Sequence, residues 1–212
     1  MQIISTFSFK GGEEFLNRSH PTELSEIIEA IQDLDATTCL TKESKEKTMR
    51  GDLLFSPPDM NKRLRLYLRN KGWSEYRHSF GSGRFREMDG VKNMVGLEIQ
   101  FGKYAFMGYD IFSKMVIFKK HGHIECGVEV VPTEGLVNKM STGVSSFDQL
   151  LVDFENRGES NIDIPVFVLG IGLTTQEDKR SEEIRKHFKE DGRSAIAAIK
   201  LRKYHGSKPG PK

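Results

Sequence analysis

Between Met94 and Gly102 the residues MVGLEIQFG alternate in character, and this stretch constrains the chain more than any other. Val95, Leu97, Ile99 and Phe101 fall on one face; Met94, Gly96, Glu98, Gln100 and Gly102 fall on the other. A period of two predicts a β-strand. A half-buried strand ordinarily turns its second face to water, but here that face carries two glycines and a carboxylate–carboxamide pair, so another group can approach the backbone closely. Glu98 and Gln100 project from it roughly 6–7 Å apart along the strand. Asp89 lies nine residues before Glu98, far enough for a turn over 90–93 to return it beside them. An Asp, a Glu and a carboxamide oxygen meeting at one point are hard ligands that suit Mg²⁺. The alternative is a solvated strand face.

The rest of the chain has the means to support such a strand. At 212 residues one domain with a full core is expected, spanning 1–204, with GSKPGPK closing a flexible tail over 205–212. A charged content of 29% against 37% hydrophobic residues describes a globular protein rather than a disordered one. The net charge of +2 does not by itself announce a nucleic-acid binder. Cys39 and Cys126 lack metal-site spacing, and buried thiols in a reducing compartment are expected. The start MQIISTFSF has neither a basic beginning nor a small-residue cleavage site, and no apolar run approaches the ~18 residues of a membrane span. A cytoplasmic chain with no membrane partner is therefore expected.

In order, residues 3–9 alternate as a first strand. Pro21 opens a helix whose stripe is Leu24, Ile27, Ile28, Ile31 and Leu34. TKESKEKTMRG, residues 41–51, carries Lys42, Lys45, Lys47 and Arg50 among two glutamates, and reads either as a solvated loop or as a phosphate contact. Ser56-Pro57-Pro58 starts a second helix that Gly72 stops. Trp73 is expected in the core. Gly81-Ser82-Gly83 lacks the residues of a phosphate loop and reads as a hairpin turn. Residues 104–120 have helical length. His121 and His123 flank a glycine with no third ligand in sequence and read as loop histidines. Residues 124–131 alternate as a central strand. STGVSS, residues 141–146, is not a nucleophile elbow, and its small hydroxyls bond either base edges or their own backbone. PVFVLGIG, residues 165–172, is a continuous apolar run that predicts a fully buried strand, and residues 176–191 form a charged helix.

Several of these stretches resemble one family. TKESKEKT at 41–48, LEIQFGKYAF at 97–106, GVEVVP at 127–132 and MSTGVSSFD at 140–148 are similar, in this order along the chain, to the BglII/BstYI group of type II restriction endonucleases within the PD-(D/E)xK nucleases. The likeness covers about 34–172. It implies an α/β, restriction-endonuclease-like fold with a central mixed β-sheet flanked by helices. It also implies a Mg²⁺-dependent endonuclease, a symmetric homodimer acting on a palindrome in double-stranded DNA. That palindrome is expected to be a hexamer centred on GATC, and a cognate DNA methyltransferase the functional partner.

In that resemblance Asp89 and Glu98 hold the metal, and Gln100 stands where the motif usually has Lys. Gln100 cannot act as a base or neutralise charge; it can orient water, or its carbonyl can touch the metal. Met88, not proline, precedes Asp89, so the first half of the motif rests on spacing. The resemblance also implies a catalytic place for Glu75. The base is open between Glu75, a metal-bound hydroxide and the substrate phosphate. Lys103 is expected to read a base, Ser141, Thr142, Ser145 and Ser146 to face the major groove, Lys45 to touch the DNA backbone, and part of 104–120 to form the dimer interface. Three rival readings are a repair or junction-resolving nuclease, a DNA-binding protein that has lost chemistry, and a globular enzyme unrelated to DNA.

Overall fold

In the computed structural model, which describes residues 1–157 and 163–191, the alternating strand lies inside a six-stranded sheet. The strands are β1 (Gln2–Phe9), β4 (Ser74–Ser79), β5 (Phe85–Lys92), β6 (Val95–Ile99), β7 (Cys126–Pro132) and β8 (Val166–Gly172). Their order is β1-β8-β7-β6-β5-β4. β6, β7 and β8 run parallel, and antiparallel neighbours flank them on both sides. The sheet is therefore mixed. The interior strands β6, β7 and β8 are buried at every position, as a sheet covered on both faces requires. A two-stranded sheet of β2 (Leu40–Glu43) and β3 (Leu53–Phe55) stands apart from it.

Each face of the sheet has its own core. Val95, Leu97 and Ile99 of β6, with Val128 and Val130 of β7, pack with residues of α1 (Gly12–Ser19), α2 (Pro21–Asp33) and α3 (Pro57–Asn70). Trp73 is buried there, as expected, and its indole N–H donates to Glu26. The second core joins Met88, Val131, Val166 and Val168 of the sheet to Met107, Ile111, Met115 and Phe118 of the segment 104–120 and to Phe147, Leu150 and Phe154 of α7 (Phe147–Arg157). α6 (Glu134–Val137) and α8 (Thr175–Asp191) complete the described elements.

The segment 104–120 is helical throughout but not uniformly wound. A wide π turn, Asp110–Met115, separates α4 (Tyr104–Tyr109) from α5 (Val116–Lys120). It lies tightly on the sheet: a Cβ on Gly127 of β7 would stand 2.4 Å from the sulfur of Met115.

Two local expectations are corrected. α1 is a helix that periodicity did not single out; Gly12 opens it because its Cα meets β8, where a Cβ would lie 2.3 Å from the Val166 carbonyl oxygen. The turn before β6 is at Asn93 and Met94, both with positive φ, and not over 90–93; Gly90 is still in β5, paired with Leu97. Met94 is thus the second turn residue and not the first of the strand. The alternation runs unbroken through the turn, which is why spacing alone misplaces it. Cys39 and Cys126 are buried thiols, and no described helix is long and apolar enough to cross a membrane. The tail expected over 205–212 lies outside the described residues.

Candidate active site

The β5–β6 hairpin brings Asp89 back to Glu98. Gly90 pairs with Leu97, so Asp89 occupies the next position toward Glu98, and its Oδ2 accepts the backbone N–H of Ile99 at 3.0 Å. Its Oδ1 faces the Arg65 guanidinium of α3 at 3.3 Å. Burial pushes the Asp89 carboxyl above its usual range, against the pull of the Ile99 N–H and of Arg65. Glu75 does not touch Asp89. It stands at the start of β4, accepts from Arg69 at 3.1 Å and lies 3.8 Å from the same Arg65, so one guanidinium joins the two acids.

Glu98 points to the opposite face from Leu97, under the π turn. Only 3% of it is exposed, and burial pushes its carboxyl well above the usual carboxylate range, against the attraction of Lys114. The Lys114 ammonium is 2.9 Å from Glu98 Oε1 and 2.6 Å from Asp110 Oδ1, one helical turn back. Glu98 Oε1 has no hydrogen bond of acceptable geometry, so this contact is an ion pair only. Burial works against the charge on Lys114, but Glu98 and Asp110 outweigh it and its pKa is raised. Gln100 donates from Nε2 to Asp110 Oδ2 at 2.7 Å. Its carbonyl oxygen lies against Gly102, where a Cβ would be 2.5 Å away. The second glycine of the polar face makes room for this carboxamide.

Three members of this centre were not singled out from sequence: Asp110, Lys114 and Glu129. Glu129 pairs in register with Glu98 across the parallel β6–β7 ladder. It is fully buried, and neither carboxylate oxygen has a hydrogen-bond partner. Burial, reinforced by Asp110 and Glu98, pushes its carboxyl well above the usual range. A signal existed for each. Glu129 is the one charge in the apolar strand CGVEVVP, and Asp110 and Lys114 sit four apart in a segment otherwise rich in Phe, Met and Ile. Buried charges of this kind are retained only with a partner or a function.

The expected DNA-facing residues gather nearby. Lys103 is exposed and bridges to Val144 of the 141–146 loop. The Lys42 ammonium donates to the Ser141 hydroxyl, and Glu46 accepts from the Thr142 N–H at 3.0 Å. The two loops, 41–51 and 141–146, therefore form one surface. Lys45 is exposed on it. Ser145 and Ser146 differ from expectation, for both are buried. The Ser146 hydroxyl accepts from the Gln149 N–H while Gln149 Oε1 accepts from the Ser146 N–H, a reciprocal cap on α7. The local-backbone alternative for this hydroxyl is the one seen.

His121 and His123 also gain a neighbour. His78 of β4 lies 2.8 Å from His123, and its ring centre is 4.1 Å from that of His121 in a tilted contact. Among the described residues, however, no three His, Cys, Asp or Glu side chains are placed to hold a metal ion together.

The donor set beside Asp89 was tested against a divalent cation on its chemistry. Asp89 and Glu98 supply hard oxygens, and Glu98 Oε1, buried and met by the Lys114 ammonium at 2.9 Å, has no well-aligned hydrogen bond. Mg²⁺ is commonly held by one or two carboxylates together with water and substrate phosphate, so a closed protein cage is not required. The residues present fit such an ion.

The chain is similar to proteins of one family. The family model described as restriction endonuclease BglII/BglIII matches residues 4–171. A solved structure titled as restriction endonuclease BglII complexed with a DNA 16-mer is 19% identical with a TM-score of 0.69, covering 82% of this chain and 78% of that one. The structure of free BglII is 18% identical with a TM-score of 0.59, over 82% of this chain and 81% of that one. No curated protein matches.

Proposed function

Because this chain belongs to the BglII/BglIII restriction endonuclease family, and is by that membership a type II site-specific deoxyribonuclease, we propose that it hydrolyses double-stranded DNA at a palindrome, with Asp89 and Glu98 as the metal-holding pair. The site is a hexamer centred on GATC, the working form is a homodimer with one half-site per subunit, and a cognate methyltransferase protects the host sequence. The observation that carries this reading is the return of Asp89 onto the backbone of Ile99, one residue beyond Glu98.

Asp89 and Glu98 would hold the Mg²⁺, which when bound would supply a water of lowered pKa and polarisation of the phosphate. The chain's own residues do the positioning. Asp89 is fixed on one oxygen by the Ile99 N–H and on the other by Arg65. Glu75 acts at one remove, holding Arg65 and Arg69 beside that acid. Gln100 carries no charge; tied by Nε2 to Asp110, it orients groups at the far side of Glu98. Burial of Glu98 excludes bulk water, so charge interactions there are stronger than at a surface. On the DNA side, Lys103 reads a base edge, a contact worth roughly 1–3 kcal/mol of discrimination against the wrong base. Ser141, Thr142 and Lys45 line the surface it belongs to, while Ser145 and Ser146 shape the loop from beneath.

Digestion of a long unmethylated DNA with and without Mg²⁺, beside the Glu98→Ala variant, tests this reading. Discrete fragments mapping to GATC-centred sites are expected, and none from the variant or without metal. A smear in place of fragments would indicate a repair-type nuclease and overturn the proposed specificity.

A further inference from the structure

The motif position that usually carries a lysine holds Gln100, and the structure shows what stands in the space beside it. Lys114 reaches down from the π turn and sets its ammonium 2.9 Å from Glu98 Oε1. Gln100 is bonded to Asp110, the other acid that Lys114 touches, at 2.7 Å. The cation and the carboxamide are thus two ends of one chain, Glu98–Lys114–Asp110–Gln100. The cation is already on the catalytic acid, but it comes from the covering helix and not from the strand.

The winding of the helix makes this possible. Wide turns of this kind are rare and concentrate at functional sites. Here the wide turn is clamped by Met115 against Gly127. Asp110 and Lys114, four apart, both point at the sheet. Lys114 is mostly buried but keeps 13% of its side chain exposed, more than either acid it touches. The other cation on the metal-holding pair, Arg65, sits on Asp89 from the far side of the sheet and is committed to Glu75 as well.

We propose that Lys114 is the active-site lysine of this nuclease: relocated from residue 100 to the covering helix, it contacts the scissile phosphate from the Glu98 side and offsets the charge that builds on its oxygens. The inference rests on the nuclease reading above. Lys114 transfers no proton; it is held as an ammonium by Glu98 and Asp110 and acts by charge. Its role differs from that of a buried counter-ion, which would hold Glu98 in place and do nothing to the phosphate.

The test compares wild type, Lys114→Met and Lys114→Met/Gln100→Lys. Single-turnover cleavage is measured with Mg²⁺, and DNA affinity with Ca²⁺ by fluorescence anisotropy. Lys114→Met is expected to slow cleavage about 100-fold or more, the usual effect of removing one preorganised donor, with affinity within about threefold of wild type. Returning the lysine to residue 100 is expected to restore about tenfold or more of the lost rate. The inference is overturned if Lys114→Met cleaves like wild type. It is equally overturned if the double variant binds DNA normally yet recovers nothing, since Lys114 is then a counter-ion only. If Lys114→Met fails to bind DNA, Asp110→Asn/Lys114→Met, which leaves the helix without an unpaired charge, is judged by the same rate and affinity criteria. Wild-type protein that does not cleave would overturn the nuclease reading and this inference with it, whereas wild type that cleaves beside an equally active Lys114→Met overturns this inference alone.

Discussion

At the scale of single residues, the centre is defined by an excess of buried acid over buried cation. Glu98 and Glu129 face each other across two parallel strands with Lys114 as the nearest compensation. The folded chain therefore holds a proton on Glu129 to higher pH than the unfolded chain, whose ordinary value is near 4.5. Protons bound in the folded state in excess of the unfolded one make stability fall as pH rises. That loss begins near the ordinary carboxylate value and continues up to the raised folded one, at about 1.4 kcal/mol per pH unit for one full proton. Glu129→Gln is expected to remove one proton's share of this slope and to stabilise the metal-free protein at neutral pH. Chemical denaturation of both proteins at a series of pH values would measure it; parallel curves would show that Glu129 is ionised in the fold.

At the scale of elements, the cap on α7 separates two roles that a serine in this loop can have. Ser146→Ala removes a reciprocal cap and is expected to cost about 1 kcal/mol of stability, read from the denaturant midpoint, whether or not DNA is present. If stability is unchanged and DNA affinity falls instead, Ser146 reads DNA directly. The seat of α1 gives a second case. Gly12→Ala places a Cβ 2.3 Å from a backbone carbonyl that no side-chain rotation can relieve. A loss of about 1–3 kcal/mol is expected, whereas Gly135→Ala in α6, with nothing within 4 Å, is expected to be neutral or slightly stabilising. Equal midpoints for the two variants would refute the close packing of α1 on β8.

The sheet was largely legible from sequence, because alternation and apolar runs report burial directly. β1, β6, β7 and β8, with α2 and α3, fall where the patterns place them. The pair Asp89 and Glu98 was legible as spacing on a hairpin, even with the turn misplaced by the regular alternation of Met94. α1 was not legible, since GEEFLNRS contains only Phe15 and Leu16 as large apolar residues and its key contact is the absence of a side chain at Gly12. Nor was the helix-borne half of the centre. Asp110 and Lys114 stand out locally only as two charges four apart in an apolar segment, and they acquire a role once the π turn is laid over β6 and β7.

For the molecule as a whole, the dimer expected of this family needs a face to form on. α4 exposes Tyr104 and Phe106, and α7 exposes Val152, on elements that pack together. Large exposed apolar side chains grouped on neighbouring elements mark interaction surfaces. Phe106→Asp is therefore expected to shift the protein from dimer to monomer in sedimentation. On the proposed reading of one half-site per subunit, it is also expected to leave nicks at most. An unchanged dimer would move the interface elsewhere.

The pairing of β1 with β8 has a temporal side. Gln2 finds its partner in Gly172, so the first strand waits for the last described one. Contacts so far apart in sequence form late and slow folding, because the loop between them must be closed before it is rewarded. Asp89, Glu98 and Lys114 all leave the ribosome before β8, which flanks β7 and completes the sheet beneath them. A nascent or prematurely terminated chain thus carries every acidic group of the centre without the scaffold that aligns them. A chain that stops before β8 is therefore expected to hold these groups unaligned and to leave DNA uncut.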